Sequence, residues 1–227
     1  MIQHFELSKP RNSCCGERDK AAAYWSARNL YHSVRTETLD LIEGLSQFQL
    51  DFVPAPGKWS VGEALDHLLR GERLNADYIR NAIELKKAGE QPILRLGFKD
   101  LDVSIGYFPK ALGPLVEAPL SVMNMFVPRS VRDWMTRYRV IPTQNPAVTT
   151  PSHGRSASDL RHDLISSLQV TEALLDSNSD LDLSEILIQH PLLGTNNIPE
   201  QLRFLALHEQ RHQSQIGQIM TTPEFPK

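Results

Sequence analysis

The sequence predicts an all-α protein, a four-helix bundle with a long irregular crossover between its second and third helices. Three observations carry that expectation. Four stretches repeat apolar residues at three- and four-residue steps, the pattern of a helix with one buried face. Almost no stretch alternates apolar and polar residues as a half-buried strand does. Between the second and third periodic stretches, prolines stand at 92, 109, 114, 119, 128, 142 and 146, a density that no continuous helix tolerates.

The elements follow in chain order. Residues 1–18 read as a flexible N-terminal arm ahead of one bundle domain spanning 19–222, with 91–155 as its crossover insert. The first helix is expected from Asp19 to Phe48, on the stripe Tyr24, Ala27, Tyr31, Val34, Thr38, Leu41, Leu45 and Phe48. Val53-Pro54-Ala55-Pro56-Gly57 then breaks the chain. Ser60 is a good N-cap, and Glu63 three positions on completes a capping box. The helix that starts there should run to about Lys87, with Gly89 as its stop. The crossover should hold one short helix near Arg129 to Arg137; a loop of this length in a compact domain is often functional. Ser156 or Ser158 opens the third helix, with Leu160, Leu164, Ile165, Leu168, Thr171, Leu174 and Leu175 on one face. Leu183 to Gly194 reads as a short extended segment. The last helix starts near Pro199, a residue favoured in a first turn, with Leu202, Leu205, His208, His212, Ile216 and Ile219 sharing a face.

Composition sets limits on function. The chain has 227 residues, 41% of them hydrophobic and 22% charged, and a net charge of −3. That balance fits a globular protein with one sizeable core. It argues against a nucleic-acid partner, which needs a basic stripe. No apolar run approaches the ~18 residues of a spanning helix, so no membrane partner is expected. Met1 to Lys20 is polar and lacks the apolar stretch of a secretory signal. Both cysteines, Cys14 and Cys15, are neighbours and cannot staple distant segments, which suits the cytoplasm; they read as incidental.

The chemistry concentrates in the last helix. His208 and His212 are one turn apart on one face, where two imidazoles can share an ion. Both interrupt an apolar stripe, and a buried imidazole pair needs partners. Two readings stand at this point: hydrogen-bonded core histidines, which an isolated pair more often is, or metal ligands. His208-Glu209-Gln210-Arg211-His212 also matches the zinc-protease helix, with Glu209 as base. Gln215 and Gln218 stand where the extended form of that motif needs Gly and His, and only a Pro-containing tail with Glu224 follows. A third ligand is therefore expected upstream, and His67, beside Leu65 and Leu68, is the best candidate. Three histidines would leave an open coordination position. Glu209 suits orienting a ligand or a water better than acting as base, and Arg211 should point to solvent. His4, His32, His153 and His162 read as surface residues and His190 as a loop histidine. Trp59 reads as a packing anchor; Trp134 and Tyr138 are candidates for substrate contact.

Lys58-Trp59-Ser60, His67-Leu68, His190-Pro191-Leu192-Leu193-Gly194 and Phe204 through Ile216 around the closing histidine pair, in that order and on those helices, resemble the DinB/YfiT-like metal-binding superfamily. The resemblance covers roughly residues 20–220. It implies a four-helix bundle holding a divalent metal, usually zinc or nickel, on a histidine triad that falls here on His67, His208 and His212. It implies chemistry on a low-molecular-weight thiol, which the metal activates for transfer to a small electrophile or for isomerisation. A hydrolase using a metal-bound hydroxide, and a non-catalytic metal-binding bundle, are the alternatives. The partner expected is a small molecule; bundles of this kind also often pair into homodimers through a helix face.

Overall fold

The computed structural model describes residues 13–97, 128–138, 147–190 and 194–227. Helix α1 spans Ser13–Leu41, α2 Gln47–Leu50, α3 Val61–Lys87, α4 Arg129–Arg137, α5 Ala157–Asp176 and α6 Ile198–Met220. A one-turn 3-10 helix covers Ala147–Thr149. Strands β1 (Ile93–Arg95), β2 (Leu187–His190) and β3 (Gly194–Asn197) form one small sheet in that order. The protein is mostly helical, as predicted, and α1 and α3 each pack against both α5 and α6.

Where the sequence carries caps, the boundaries fall where the caps put them. Ser60 accepts from Glu63 N–H while Glu63 bonds the Ser60 N–H, and α3 stops at Lys87 before Gly89 at φ +74°. Asn197 and Glu200 make the same reciprocal pair at the start of α6. Ser156 caps α5 through Asp159 N–H. The short helix at 129–137 is also in its predicted place.

Two expectations need correcting. The first helix ends at Leu41, not Phe48. Gly44 takes φ +77°, a left-handed turn that ends the helical path. Ser46 then caps the separate turn α2, which leaves Phe48 exposed. The same helix begins at Ser13, not Asp19, so residues 13–18, with Cys14 and Cys15, are helical; residues 1–12, with His4, lie outside the described residues. The extended segment expected near Leu183–Gly194 is present as β2, and it belongs to a sheet. Strand β2 pairs antiparallel with β3, Leu187 opposite Asn197, and parallel with β1, Ile93 opposite Leu187. Strands of three and four residues are too short to print an alternation. Of the crossover, 98–127 and 139–146 lie outside the described residues.

The core is split in two. One apolar cluster gathers Ala27, Tyr31 and Val34 of α1, Ile79 and Ile83 of α3, Leu168 and Leu175 of α5, Ile186 and Ile188 near the sheet, and Leu202 and Leu205 of α6. The other gathers Ile42, Leu50, Leu65, Leu69, Leu160, Leu164, Ile216 and Ile219. Every long helix also buries polar residues, a polar layer against the apolar clusters: Arg35 and Thr38, His67 and Glu72, Ser167 and Thr171, Glu209 and His212. Burying charge is costly unless it is paired, so this polar layer is where function is to be sought.

Candidate metal centre

His67, His208 and His212 come together in the polar layer, each offering one ring nitrogen, and these nitrogens lie within 4.8 Å of one another. Helix geometry accounts for two of them, because residues four apart on α6 stack on one face. Helix α3 packs on α6 and brings His67 to the same spot. The ring centroids are 4.7 Å apart for His208 and His212, 5.0 Å for His67 and His212 and 5.4 Å for His67 and His208. His67 and His212 are buried and His208 is half-buried.

Hydrogen bonds determine which nitrogen of two rings faces the cluster. His67 Nδ1 lies 2.8 Å from the Thr149 carbonyl. A carbonyl only accepts, so Nδ1 carries the hydrogen and the lone pair is left on Nε2. His212 Nδ1 likewise donates to Gln215 Oε1 at 2.9 Å. Arg211 Nη2, which can only donate, sits 3.1 Å from His212 Nε2; this independently puts the His212 lone pair on Nε2. Burial holds the His208 imidazole well below its ordinary pKa, and His212, Arg211 and His67 push the same way. Neutral imidazole is the form that ligates metal.

The donor set fits a divalent ion. Ligand nitrogens on a tetrahedral ion lie about 3.4 Å apart, from metal–nitrogen bonds of about 2.0–2.1 Å, so small ring rotations close the observed spacing. Borderline ions such as zinc and nickel take imidazole. The bond from Thr149 O to Nδ1 is the kind of outer contact that fixes a ligating histidine's tautomer.

The wall of the cluster is aromatic. The Trp59 ring is 4.8 Å from that of His67 and stacks at 6.1 Å on that of His212. Phe204 stacks on His208 at 6.0 Å. Trp59 is thus a packing anchor, as expected, but one set against the histidines themselves.

The end of the crossover is clamped beside the cluster. Asp66, buried next to His67, accepts from Ser152 N–H at 2.7 Å, from Arg155 at 2.8 Å and from Arg70 at 2.7 Å. Burial would raise the Asp66 pKa, but those three bonds outweigh it and hold the carboxylate below its usual range. Arg155 also reaches Asp163 on α5 at 2.8 Å. This clamp holds the segment that presents the Thr149 carbonyl to His67.

Glu209 is placed differently from its expected role. Its oxygens accept from Arg35 Nε at 2.8 Å, from Arg35 Nη2 at 3.0 Å and from Thr38 Oγ1 at 2.6 Å. Arg35 also donates to Glu72 at 2.6 Å and to the Leu164 carbonyl at 2.8 Å, and Tyr31 bonds Glu72. Burial would lower the Arg35 pKa, but the two glutamates more than reverse it; burial raises that of Glu72. Sequence reasoning missed Arg35 and Glu72, although a signal was present. Tyr31, Val34, Arg35 and Thr38 make one helical stripe, and Leu68, Leu69, Glu72 and Ala76 another. A charge inside an apolar stripe on two helices, with Glu209 on a third, calls for a buried network.

Arg211 is half-buried against His212, not solvated. His32, His153 and His162 are exposed, as expected. His190 ends β2 opposite Gly194, and burial lowers its pKa to about 4. Trp134 and Tyr138 are exposed on and just after α4, their rings 6.0 Å apart. That helix docks on α6 through Arg203 and Asp133 at 2.8 Å and on β3 through Arg132 to the Thr195 carbonyl at 3.1 Å.

Comparison with known proteins agrees with the geometry. The DinB superfamily profile matches residues 30–216. The chain is 21% identical over 192 residues to the uncharacterized protein YuaE of Bacillus subtilis (strain 168), covering 84% of this chain and 95% of that protein. No solved structure matches significantly. Among the described residues, no helix is long and apolar enough to cross a membrane.

Proposed function

As this chain belongs to the DinB superfamily, we propose that it holds a divalent metal ion, zinc or nickel, on His67, His208 and His212 and uses it to activate a low-molecular-weight thiol. The observation that carries the reading is the convergence of three ring nitrogens, two with their lone pairs fixed on Nε2 by Thr149 and Gln215. Three neutral ligands would leave a bound ion its full charge, which would lower the pKa of a thiol enough for its proton to pass to solvent and its sulfur to displace a leaving group from an electrophilic carbon.

The chain's own residues favour a thiol over water as the nucleophile. Water activation is helped by a carboxylate that takes the proton. The acid between the two histidines of that helix, Glu209, is spent on Arg35 and Thr38. A thiol, with an ordinary pKa of about 8.5, needs far less help than water. Trp59 and Phe204 narrow the approach and give an apolar flank for the carbon being attacked.

The test is the metal content of purified, untagged protein beside His212→Ala, followed by a thiol titration of the cobalt-substituted protein. About one metal per chain, lost in the variant, supports the site. A thiolate charge-transfer band supports thiol chemistry. Metal without such a band, with turnover in the absence of thiol, would favour the hydrolase instead.

A further inference from the structure

Helices α3 and α6 are bridged at two levels. At one, His67 meets His208 and His212. At the other, Gln201 Nε2 donates to Asn75 Oδ1 at 2.5 Å. Eight residues of α3 separate the two bridges, about 12 Å along the helix axis. Gly71 lies midway, four residues from each, and so on the same face as His67 and Asn75. Glycine inside a helix lowers its stability relative to alanine, and packing does not call for it here. A Cβ at Gly71 would meet nothing within 4 Å, whereas one at Gly62, also in α3, would come 3.3 Å from the Leu50 carbonyl oxygen. Gly71 is half-buried, as are Phe204 and His208 on the matching stretch of α6.

The far bridge is part of an oriented chain of donors. Arg132 Nη1 donates to Asn196 Oδ1 at 3.2 Å, Asn196 Nδ2 to Gln201 Oε1 at 3.0 Å, Gln201 Nε2 to Asn75, and Asn75 Nδ2 to the Gly71 carbonyl at 2.7 Å. The chain starts at a guanidinium, which only donates, so the oxygen and nitrogen ends of all three amides are fixed. A cation at its head polarises the bonds that follow. The chain ends with Asn75 Nδ2 set against Gly71. That nitrogen carries two hydrogens, and the second has no acceptor among the described residues.

We propose that the space over Gly71 is the substrate subsite of this centre: the body of the thiol lies there, and a carbonyl or carboxylate oxygen at its far end accepts the spare N–H of Asn75. This rests on the metal and thiol reading above and adds to it the class of thiol, one that carries an oxygen acceptor a short chain away from its sulfur. Glycine at 71 gives up helix stability for that space, and the donor chain supplies a selectivity that the three histidines alone do not.

The experiment loads wild type, Gly71→Leu, Gly71→Ala and Asn75→Leu with cobalt and measures cobalt per chain, melting temperature and thiol binding. N-acetylcysteamine, which carries a carbonyl, and ethanethiol, which does not, are titrated into each and read by the thiolate charge-transfer band. Every variant should hold as much cobalt as wild type, and Gly71→Ala should melt no lower. Gly71→Leu should bind N-acetylcysteamine about ten-fold more weakly, the cost of forcing a side chain into occupied space. Asn75→Leu should lose about five-fold for N-acetylcysteamine, the size of one hydrogen bond, and nothing for ethanethiol. Unchanged N-acetylcysteamine binding in Gly71→Leu would overturn the proposal, as would an Asn75→Leu loss shared equally by the two thiols, or loss of cobalt from a Gly71 variant that folds. If Gly71→Leu does not fold, Gly71→Ala decides: weaker N-acetylcysteamine binding supports the subsite and unchanged binding overturns it. Wild type that takes up no cobalt, or takes it up and shows no thiolate band, would sink the reading above and this proposal with it. A wild-type band that titrates identically in the variants overturns this proposal alone.

Discussion

Glu209 sits where a zinc-protease helix carries its general base, yet its carboxylate faces Arg35 and Thr38 across the polar layer. Its neighbours in sequence and its neighbours in space therefore suggest different roles. Residues 208 and 212 share one face of α6, while residue 209 is turned about 100° from 208, toward α1. Glu209→Gln should lower stability by about 3–5 kcal/mol, because it leaves Arg35 short of a buried charge partner. The variant should still bind one metal per chain. Urea unfolding and metal analysis check the pair of outcomes, and an unchanged denaturation midpoint would refute the buried-pair role. Arg211 makes the matching point from the other side: a residue of the same motif expected in solvent lies against a ligand candidate.

At the scale of elements, the clamp at Asp66 matters most. It joins the N-terminal half of α3 to the end of the crossover, and through that segment it sets the Thr149 carbonyl on His67 Nδ1. Asp66→Ala should free the segment around Thr149 and Ser152, whose amide hydrogens should then exchange faster. Metal affinity should drop about 10-fold, the lower end of what loss of an outer support costs a ligating histidine. Faster exchange with unchanged metal affinity would show that His67 needs no such support. The caps at Ser60 and Asn197 act at the same scale. Each sets the start of a helix that carries a histidine, and so the level at which that histidine meets the others.

For the whole molecule, stability and metal binding are linked. A ligand bound by the folded state alone stabilises it by mass action, by about 2.7 kcal/mol at a hundred times its dissociation constant. Removing the metal with a chelator should lower the melting temperature of wild type and leave that of His212→Ala where it was. The metal-free protein should also weaken in acid. His190 titrates at about 4 in the folded chain and at about 6.5 when unfolded. Between those values the unfolded chain binds the extra proton, so stability is full above about pH 6.5 and falls as the pH drops toward 4, by up to about 3 kcal/mol. Urea melts across that range should show the slope, and His190→Gln should reduce it; an identical slope in the variant would refute the assignment.

Much of this molecule is local information. The buried faces of α3, α5 and α6 are written as residues at three- and four-residue steps, and the caps that start those helices as serine or asparagine followed by an acid. The positions of His67, His208 and His212 on helix faces are equally local, and the resemblance to the DinB/YfiT-like superfamily implied that they belong together. What lay beyond the sequence depends on which faces meet. The end of the first helix was decided by a left-handed turn at Gly44; the stripe running on past it to Leu45 and Phe48 concealed that turn. The sheet arose because β1 and β2, about ninety residues apart, found each other's backbone. The pairing of Arg35 with Glu72 and Glu209, and the turn of Glu209 away from the histidines, came from the approach of α1 to α3 and α6. Periodicity tells which side of a helix is buried; only packing tells what that side is buried against, and for a charged residue the partner decides its role.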